Sequence, residues 1–243
     1  NTKENKLSYS IQHYDNRFNL LYLNLEGRLN GTIEAIIPQK PIKVMTAYEI
    51  NKLIKKYKFN LYSCFKGKKV LVVGGSRGIG AYLVKTLSLL GAEVLFSYYK
   101  NKNDSLDIIK DLKSIKKKNI RICKINILKE NISPIENFPA DYVFYMATPQ
   151  IGKIYDKNKV DQNKLNLFYD FYIKGFLNIY NFYNRNYKNK IMFFYPSSIH
   201  VNKSQKINSE YIMIKRLGEE ICNSLNNKLH NHKILVSKIK PLL

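Results

Sequence analysis

Apolar and polar positions follow two different rhythms along this 243-residue chain. Between Leu7 and Ile37 they partly alternate, which predicts strands over Leu7 to His13, Phe18 to Leu25 and Leu29 to Ile37, with Glu26-Gly27-Arg28 as a turn. Pro38 and Pro41 close that segment, and Thr46 with Glu49 then forms a capping-box pattern. Ile50, Leu53 and Ile54 give the helix that follows an apolar face, which ends near Tyr57. From Lys68 onward short apolar runs take turns with stretches of helical period. The runs predict strands at Lys69 to Val73, Val94 to Ser97, Ile120 to Ile125, Tyr142 to Met146, Ile191 to Tyr195 and Ile234 to Ile239. Helices are expected between them, over Ile79 to Leu90, Ser105 to Ile115, Gln162 to Asn184 and Glu210 to Leu229. Strand and helix in turn, each strand an apolar run, describe a parallel sheet covered on both faces, with right-handed crossovers.

The strand at Lys69 runs into a glycine-rich turn, Gly74-Gly75-Ser76-Arg77-Gly78-Ile79-Gly80. Gly74 lets the chain leave the strand sharply, Gly78 lets the backbone approach a pyrophosphate, and Gly80 lets the helix press on the sheet with its N-terminus toward the phosphates. A bare glycine pattern is weak, but here the apolar strand precedes it, Leu83, Leu87 and Leu90 follow on one helical face, and Gly91 leads into a second strand. The fold class is therefore α/β, a doubly wound parallel-sheet Rossmann fold with a short β-rich N-terminal segment. Residues 1–45 form that segment and 46–243 the NAD(P)-binding domain.

A second constellation is Tyr211-Ile-Met-Ile-Lys215, with Ser198 upstream, just past a strand end. Residues four apart share a helix face, so the Lys215 ammonium is expected beside the Tyr211 hydroxyl, where it would lower the phenol pKa. Such a tyrosine exchanges a proton with a carbonyl or alcohol oxygen, while Ser198 hydrogen-bonds the same oxygen. The spacing alone proves little, since Tyr48/Lys52, Tyr62/Lys66, Tyr98/Lys102 and Tyr155/Lys159 repeat it. The setting at strand carboxyl ends, where ligands of such sheets bind, singles out Tyr211.

Together, the glycine turn and Ser198, Tyr211 and Lys215 in order resemble the short-chain dehydrogenase/reductase family over about Lys68 to Pro241. The resemblance implies NAD(P)-dependent oxidation or reduction, commonly by a dimer or tetramer. By matching positions it implies that Tyr211 is the catalytic acid/base, that Lys215 lowers its pKa and holds the nicotinamide ribose, and that Ser198 meets the substrate oxygen. The cofactor-binding positions it implies are Gly74, Ser76, Arg77, Gly78, Ile79, Gly80, Tyr98, Lys100, Asn126, Ala147 and Lys215. Several positions depart from the family pattern. Tyr145-Met146-Ala147-Thr148 stands for the usual Asn-Asn-Ala-Gly, Tyr172 for a helix asparagine that commonly supports a relay water, and Asn126 for an aspartate that meets the adenine. The chain begins without Met, which hints at a fragment, and stops at Lys240-Pro241-Leu242-Leu243, before the family's substrate lid and final strand, so either its C-terminus is clipped or this version lacks its lid. Ile234 to Ile239 would then be an exposed sheet edge, a liability for the chain alone.

The end of the second strand is Tyr98-Tyr99-Lys100, with no acidic residue to take the ribose hydroxyls of NAD, and Arg77 lies in the glycine turn. NADP(H) is therefore favoured over NAD(H). The expected activity is NADPH-dependent reduction of a carbonyl. Leu7 to Ile37 resembles the closing strands of a hotdog-fold acyl-thioester dehydratase, which would make the substrate a 3-oxoacyl thioester; a plain β extension is the alternative. A second reading is a catalytically silent dinucleotide-binding sensor or scaffold, which the departures at Tyr145 to Thr148 and Tyr172 favour and the intact Ser198, Tyr211 and Lys215 oppose.

The formal charge of +23, from 41 Lys and Arg against 18 Asp and Glu, raises nucleic acid or a membrane surface as a partner. The excess is nearly all Lys, however, and Asn, Ile, Tyr and Phe are inflated beside it, as in the residue drift of an AT-rich genome. Residues selected to grip phosphates would include more Arg. Neither partner is expected, and Lys116 to Lys118 read as solvated. Cys64, Cys123 and Cys222 are too few and too far apart for a disulfide framework or zinc site, His230 and His232 read as surface residues, and no metal is expected. With no span-length apolar run and a polar opening instead of a signal peptide, a reducing cytoplasm is the expected location and a homo-oligomer the expected state.

Overall fold

The computed structural model describes residues 6–15, 20–36, 44–57, 62–129, 132–149, 160–202, 209–227 and 232–240. The chain divides into two compact units, Asn1–Lys43 and Val44–Leu243.

The first unit is an antiparallel meander of β1 (Leu7–Asp15), β2 (Leu20–Gly27) and β3 (Gly31–Ile36). Its register sets Tyr9 opposite Leu25 and Ile11 opposite Leu23, which in turn faces Ile33, so one face is apolar; Ser10, Asn24 and Thr32 line up on the other. The expected turn after Glu26 is present. Gly27 has φ +119° there, and its N–H donates to Asn30 Oδ1 at 3.0 Å. Phe18, Ile37, Pro38 and Pro41 lie outside the described residues.

The second unit opens with α1 (Ala47–Lys56), whose capping box is formed: Thr46 Oγ1 accepts from the Glu49 N–H at 3.2 Å, and Glu49 Oε2 accepts from the Thr46 N–H at 2.7 Å. A short helix the pattern did not show, α2 (Tyr62–Phe65), leads to a six-stranded parallel sheet. Its strands are β4 (Lys69–Val73), β5 (Glu93–Tyr98), β6 (Ile120–Lys124), β7 (Tyr142–Tyr145), β8 (Met192–Ser198) and β9 (Lys233–Ile239), in the order β6-β5-β4-β7-β8-β9. The connecting helices are α3 (Gly78–Leu89), α4 (Lys102–Ser114), α5 (Gln162–Tyr169), α6 (Gly175–Asn186) and α7 (Ser209–Asn226). Alternate residues of β4 serve opposite faces. Val70 and Val72 join Ala81, Val84, Leu87 and Leu112 in one core, while Leu71 and Val73 join Phe176, Ile179, Tyr183 and Phe193 in the other. This is the doubly wound Rossmann arrangement. The buried Lys85 locks its first face: its ammonium lies 2.6 Å from Asp111 Oδ2 and 2.8 Å from the Met45 carbonyl, and Asp111 also accepts from the Ala47 N–H at the start of α1.

Two expectations are corrected. The single helix expected over Gln162 to Asn184 is interrupted by a π turn at Asp170–Lys174, closed by the Gly175 N–H on the Asp170 carbonyl. The Tyr145 hydroxyl, from β7, donates to the Phe171 carbonyl at 2.5 Å within this turn. His232, read as a surface residue, is buried between the rings of Tyr180 and Phe193, with centroids at 6.0 and 5.6 Å. His230 and Pro241 to Leu243 lie outside the described residues. Among the described residues no helix is long and apolar enough to cross a membrane, and no three His, Cys, Asp or Glu side chains gather as metal ligands.

Candidate active site

From β4 the chain winds outward through β5 to β6, then returns to lay β7 on the other side of β4. That reversal opens a crevice at the carboxyl ends of β4 and β7, the place where open α/β sheets bind ligands. The glycine turn fills one wall of it. The Gly74 N–H donates to Ser97 Oγ at 2.9 Å and the Gly75 N–H to the Ser97 carbonyl at 3.0 Å, which pins the turn to the end of β5. A Cβ on Gly74 would stand 2.7 Å from the Ala147 amide nitrogen, and one on Gly80 would stand 2.1 Å from the Gly74 carbonyl oxygen. Only glycines allow β7, the turn and α3 to meet this closely. Gly78, by contrast, faces open space, and Arg77 at the N-cap of α3 supplies no side-chain cap. The first amides of α3 are thus left for an anion.

Ser198 and Lys215 are 4 % and 3 % exposed, so the site's polar groups are inside the protein. Ser198 ends β8, where its side chain shares a hydrogen bond with the Tyr211 hydroxyl and accepts from the His200 N–H at 3.3 Å. Tyr211, in the first turns of α7, packs its ring against Phe168 and Tyr172, both nearly edge-on with centroids at 5.7 and 5.6 Å. Lys215, one turn on, donates to the Pro196 carbonyl at 2.6 Å, and its Nζ lies 3.7 Å from the centre of the Tyr172 ring. Lys215 is not among the groups that shift the Tyr211 phenol. Burial raises the Tyr211 phenol above its ordinary value, and the Ser198 hydrogen bond pulls the other way. Lys215 is itself pushed down to about 7 by burial, which Cys222 and Glu219 partly oppose.

That depressed value has a thermodynamic consequence. An unfolded lysine titrates near 10.5, so between about pH 7 and 10.5 the unfolded chain binds the extra proton and stability rises with pH. Lys215→Met is expected to remove this rise, which urea denaturation of parent and variant at neutral and alkaline pH will measure. Equal slopes would mean that burial does not depress the Lys215 pKa in the folded chain.

The departures noted in the sequence meet one another in space. The Thr148 and Tyr172 hydroxyls lie 2.5 Å apart, and Tyr145 holds the π turn that carries Tyr172. Ser76, Ile79, Tyr98, Asn126 and Ala147 are half-buried around the strand ends. Asn126 Oδ1 accepts from the Leu128 N–H at 3.1 Å in a local turn. Lys100 is exposed, whereas Arg77 is ion-paired with Asp104 in the first turn of α4, a partner the sequence reading missed. It also missed Ser97 and Glu210. Ser97 carried a signal, a polar residue closing the apolar run Val94-Leu95-Phe96. The buried Glu210 carried none, because its Oε1 accepts from the Asp161 N–H at 2.8 Å across to the start of α5.

No family model matches the sequence, and no curated protein does. Solved structures do match in shape. An NADH-dependent reductase complexed with NAD is 17% identical, with a TM-score of 0.64 over 74% of this chain and 81% of its own. FolM alternative dihydrofolate reductase 1 from Brucella suis, in complex with NADP, is 16% identical, with a TM-score of 0.61 over 72% of each chain. Acetoin dehydrogenase from Enterobacter cloacae is 13% identical, with a TM-score of 0.62 over 72% of this chain and 75% of its own. Others of comparable score are short-chain dehydrogenases, from Salmonella enterica among other sources. The chain thus has the fold of the short-chain dehydrogenases and reductases.

Proposed function

We propose that the protein is an NADPH-dependent oxidoreductase that reduces a carbonyl to an alcohol. One observation carries the reading: the Ser198–Tyr211 hydrogen bond, with Lys215 buried one turn away, at strand ends beside a glycine turn that leaves α3 amides open. The residues fit a dinucleotide. Gly74 and Gly80 close the turn, Gly78 faces the space a pyrophosphate would enter, and Ala147, just past β7, packs on Gly74. When bound, the nicotinamide supplies a hydride. The Ser198 and Tyr211 hydroxyls hold the carbonyl oxygen, and Tyr211 gives it a proton as negative charge develops there. A phenol whose pKa burial raises stays protonated at neutral pH, the form that can donate to the carbonyl oxygen. Lys215 would hold the nicotinamide ribose, as the family resemblance implies.

Arg77 and Lys100 at the ends of the turn and of β5 favour NADPH, the Arg77 guanidinium exchanging Asp104 for a 2′-phosphate. For the substrate we infer a 3-oxoacyl thioester, since the β1–β3 segment resembles the closing strands of an acyl-thioester dehydratase and the two activities act in sequence on one acyl chain. A thermal-shift titration with NADPH and NADH side by side tests the cofactor. NADPH is expected to stabilise the chain more, and Arg77→Ala to weaken NADPH about tenfold while sparing NADH. Equal response to both cofactors would sink the preference. No response to either would sink the dinucleotide reading.

A second reading, a silent dinucleotide-binding protein, draws on the contact of Lys215 with Tyr172, which turns the ammonium toward a ring face. Oxidation of NADPH by a 3-oxoacyl thioester above background would decide against it.

A further inference from the structure

We propose that Tyr172 is the positioning residue for Lys215: its ring face holds the ammonium, and its hydroxyl, fixed by Thr148, sets the plane of that ring. The inference rests on the reading of Lys215 as a site residue. An ammonium has three donors and no acceptor. The Pro196 carbonyl takes one at 2.6 Å, and the next group in contact is the Tyr172 ring, 3.7 Å from Nζ to centroid. Tyr195 and Tyr211 complete an aromatic enclosure, their centroids at 5.1 and 5.8 Å. A π face attracts a cation, and does so more strongly when both are out of water, as they are here.

The other groups facing Lys215 do not replace that contact. Glu219, on α7, favours the charged form, but its carboxylate is engaged by the Ser197 hydroxyl and has Lys238 of β9 at 3.9 Å. Cys222, also on α7, is pushed up to about 12 by burial and is a neutral thiol near pH 7. Tyr172, Tyr195 and Tyr211 are all raised by burial, so all three are neutral rings. Burial alone drives Lys215 toward the uncharged amine. The Tyr172 face is the touching side chain that opposes this.

The orientation of that ring is over-determined. Its hydroxyl lies 2.5 Å from Thr148 Oγ1, Phe168 stacks on it with an interplanar angle of 25°, and Tyr211 meets it at 75°. The backbone beneath it belongs to the π turn, whose Phe171 carbonyl is held by Tyr145. Tyr145, Thr148 and Tyr172, three of the four positions where the sequence leaves the family pattern in this region, Met146 being the fourth, thus form one device that presents a ring to Lys215.

The test is an NMR titration of the full chain labelled at lysine Nζ. In the parent one lysine should titrate near neutrality, far from the rest, and Lys215→Arg should remove that signal. Tyr172→Phe keeps the ring and is expected to hold the midpoint within about 0.3 pH unit, whereas Tyr172→Leu should lower it by about one unit, a tenfold change in the protonation equilibrium. Thr148→Val breaks the same hydroxyl contact as Tyr172→Phe and is expected to stay within the same 0.3 pH unit, while Tyr172→Met, which also removes the ring, serves where the leucine variant does not fold. A midpoint in Tyr172→Leu equal to that of the parent would overturn the proposal, as would a shift in Tyr172→Phe as large as in Tyr172→Leu. Adding NADPH to the same samples tests the cofactor reading separately. A Lys215 signal indifferent to NADPH counts against that reading and leaves the ring contact decided by the variants.

Discussion

Tyr211→Phe is expected to lower carbonyl reduction about a thousandfold while leaving dinucleotide binding close to that of the parent. The substitution keeps the ring, and with it the edge contacts to Phe168 and Tyr172 at 5.7 and 5.6 Å, so α7 stays docked. What it removes is the hydroxyl that pairs with Ser198 and could donate a proton to the nascent alkoxide. Ser198→Ala should cost less, about a hundredfold, because it removes a donor to the developing charge and not the acid itself. Consumption of NADPH with a 3-oxoacyl thioester, beside a thermal-shift titration on each variant, separates chemistry from binding. Turnover of Tyr211→Phe within tenfold of the parent would remove Tyr211 from the role of acid. A parent that binds NADPH yet turns over no carbonyl would favour the silent reading.

The parts of this architecture written in neighbouring residues were legible in the sequence. β4 runs from Lys69 to Val73 as its pattern implies, because an apolar run fenced by lysines and a glycine has one way to cross a buried sheet. The glycine turn carries its own geometry, and Ser198 was readable as a residue at a strand end. What stayed hidden depends on contacts between distant segments. A π turn adds one residue to a helix without changing which residue types are apolar, so Asp170–Lys174 left no trace in the periodicity, and the carbonyl it frees is satisfied by Tyr145 from another strand. Lys215 shares a helix face with Tyr211, yet which neighbour its ammonium meets was set by Pro196 and Tyr172, from β8 and the π turn. His232 is polar by type and buried by the rings around it. Arg77 reads as a free cation until α4 brings Asp104 beside it.

Two glycines of one motif should fail in different ways. Gly80→Val is expected to destabilise the chain by about 3 kcal/mol or more and to abolish dinucleotide binding with the fold. Any Cβ there stands 2.1 Å from the Gly74 carbonyl oxygen and 3.1 Å from the Gly75 Cα. These are backbone atoms, held by the Ser97 hydrogen bonds, so no side chain can rotate to make room. Relief requires α3 to lift from β4, which would open the core around Ala81 and Val84, both buried. Gly78→Ala meets no atom within 4 Å, and its cost is confined to a left-handed backbone at φ +52°, about 1–2 kcal/mol. The added methyl instead points into the space proposed for the pyrophosphate. Urea denaturation should therefore separate the pair, with Gly80→Val shifting the midpoint far more than Gly78→Ala, while NADPH stabilisation is lost in both. A Gly78→Ala variant that bound NADPH as the parent does would move the phosphate site away from the turn. A Gly80→Val variant as stable as the parent would mean that α3 and the turn do not meet at the distance on which this fold depends.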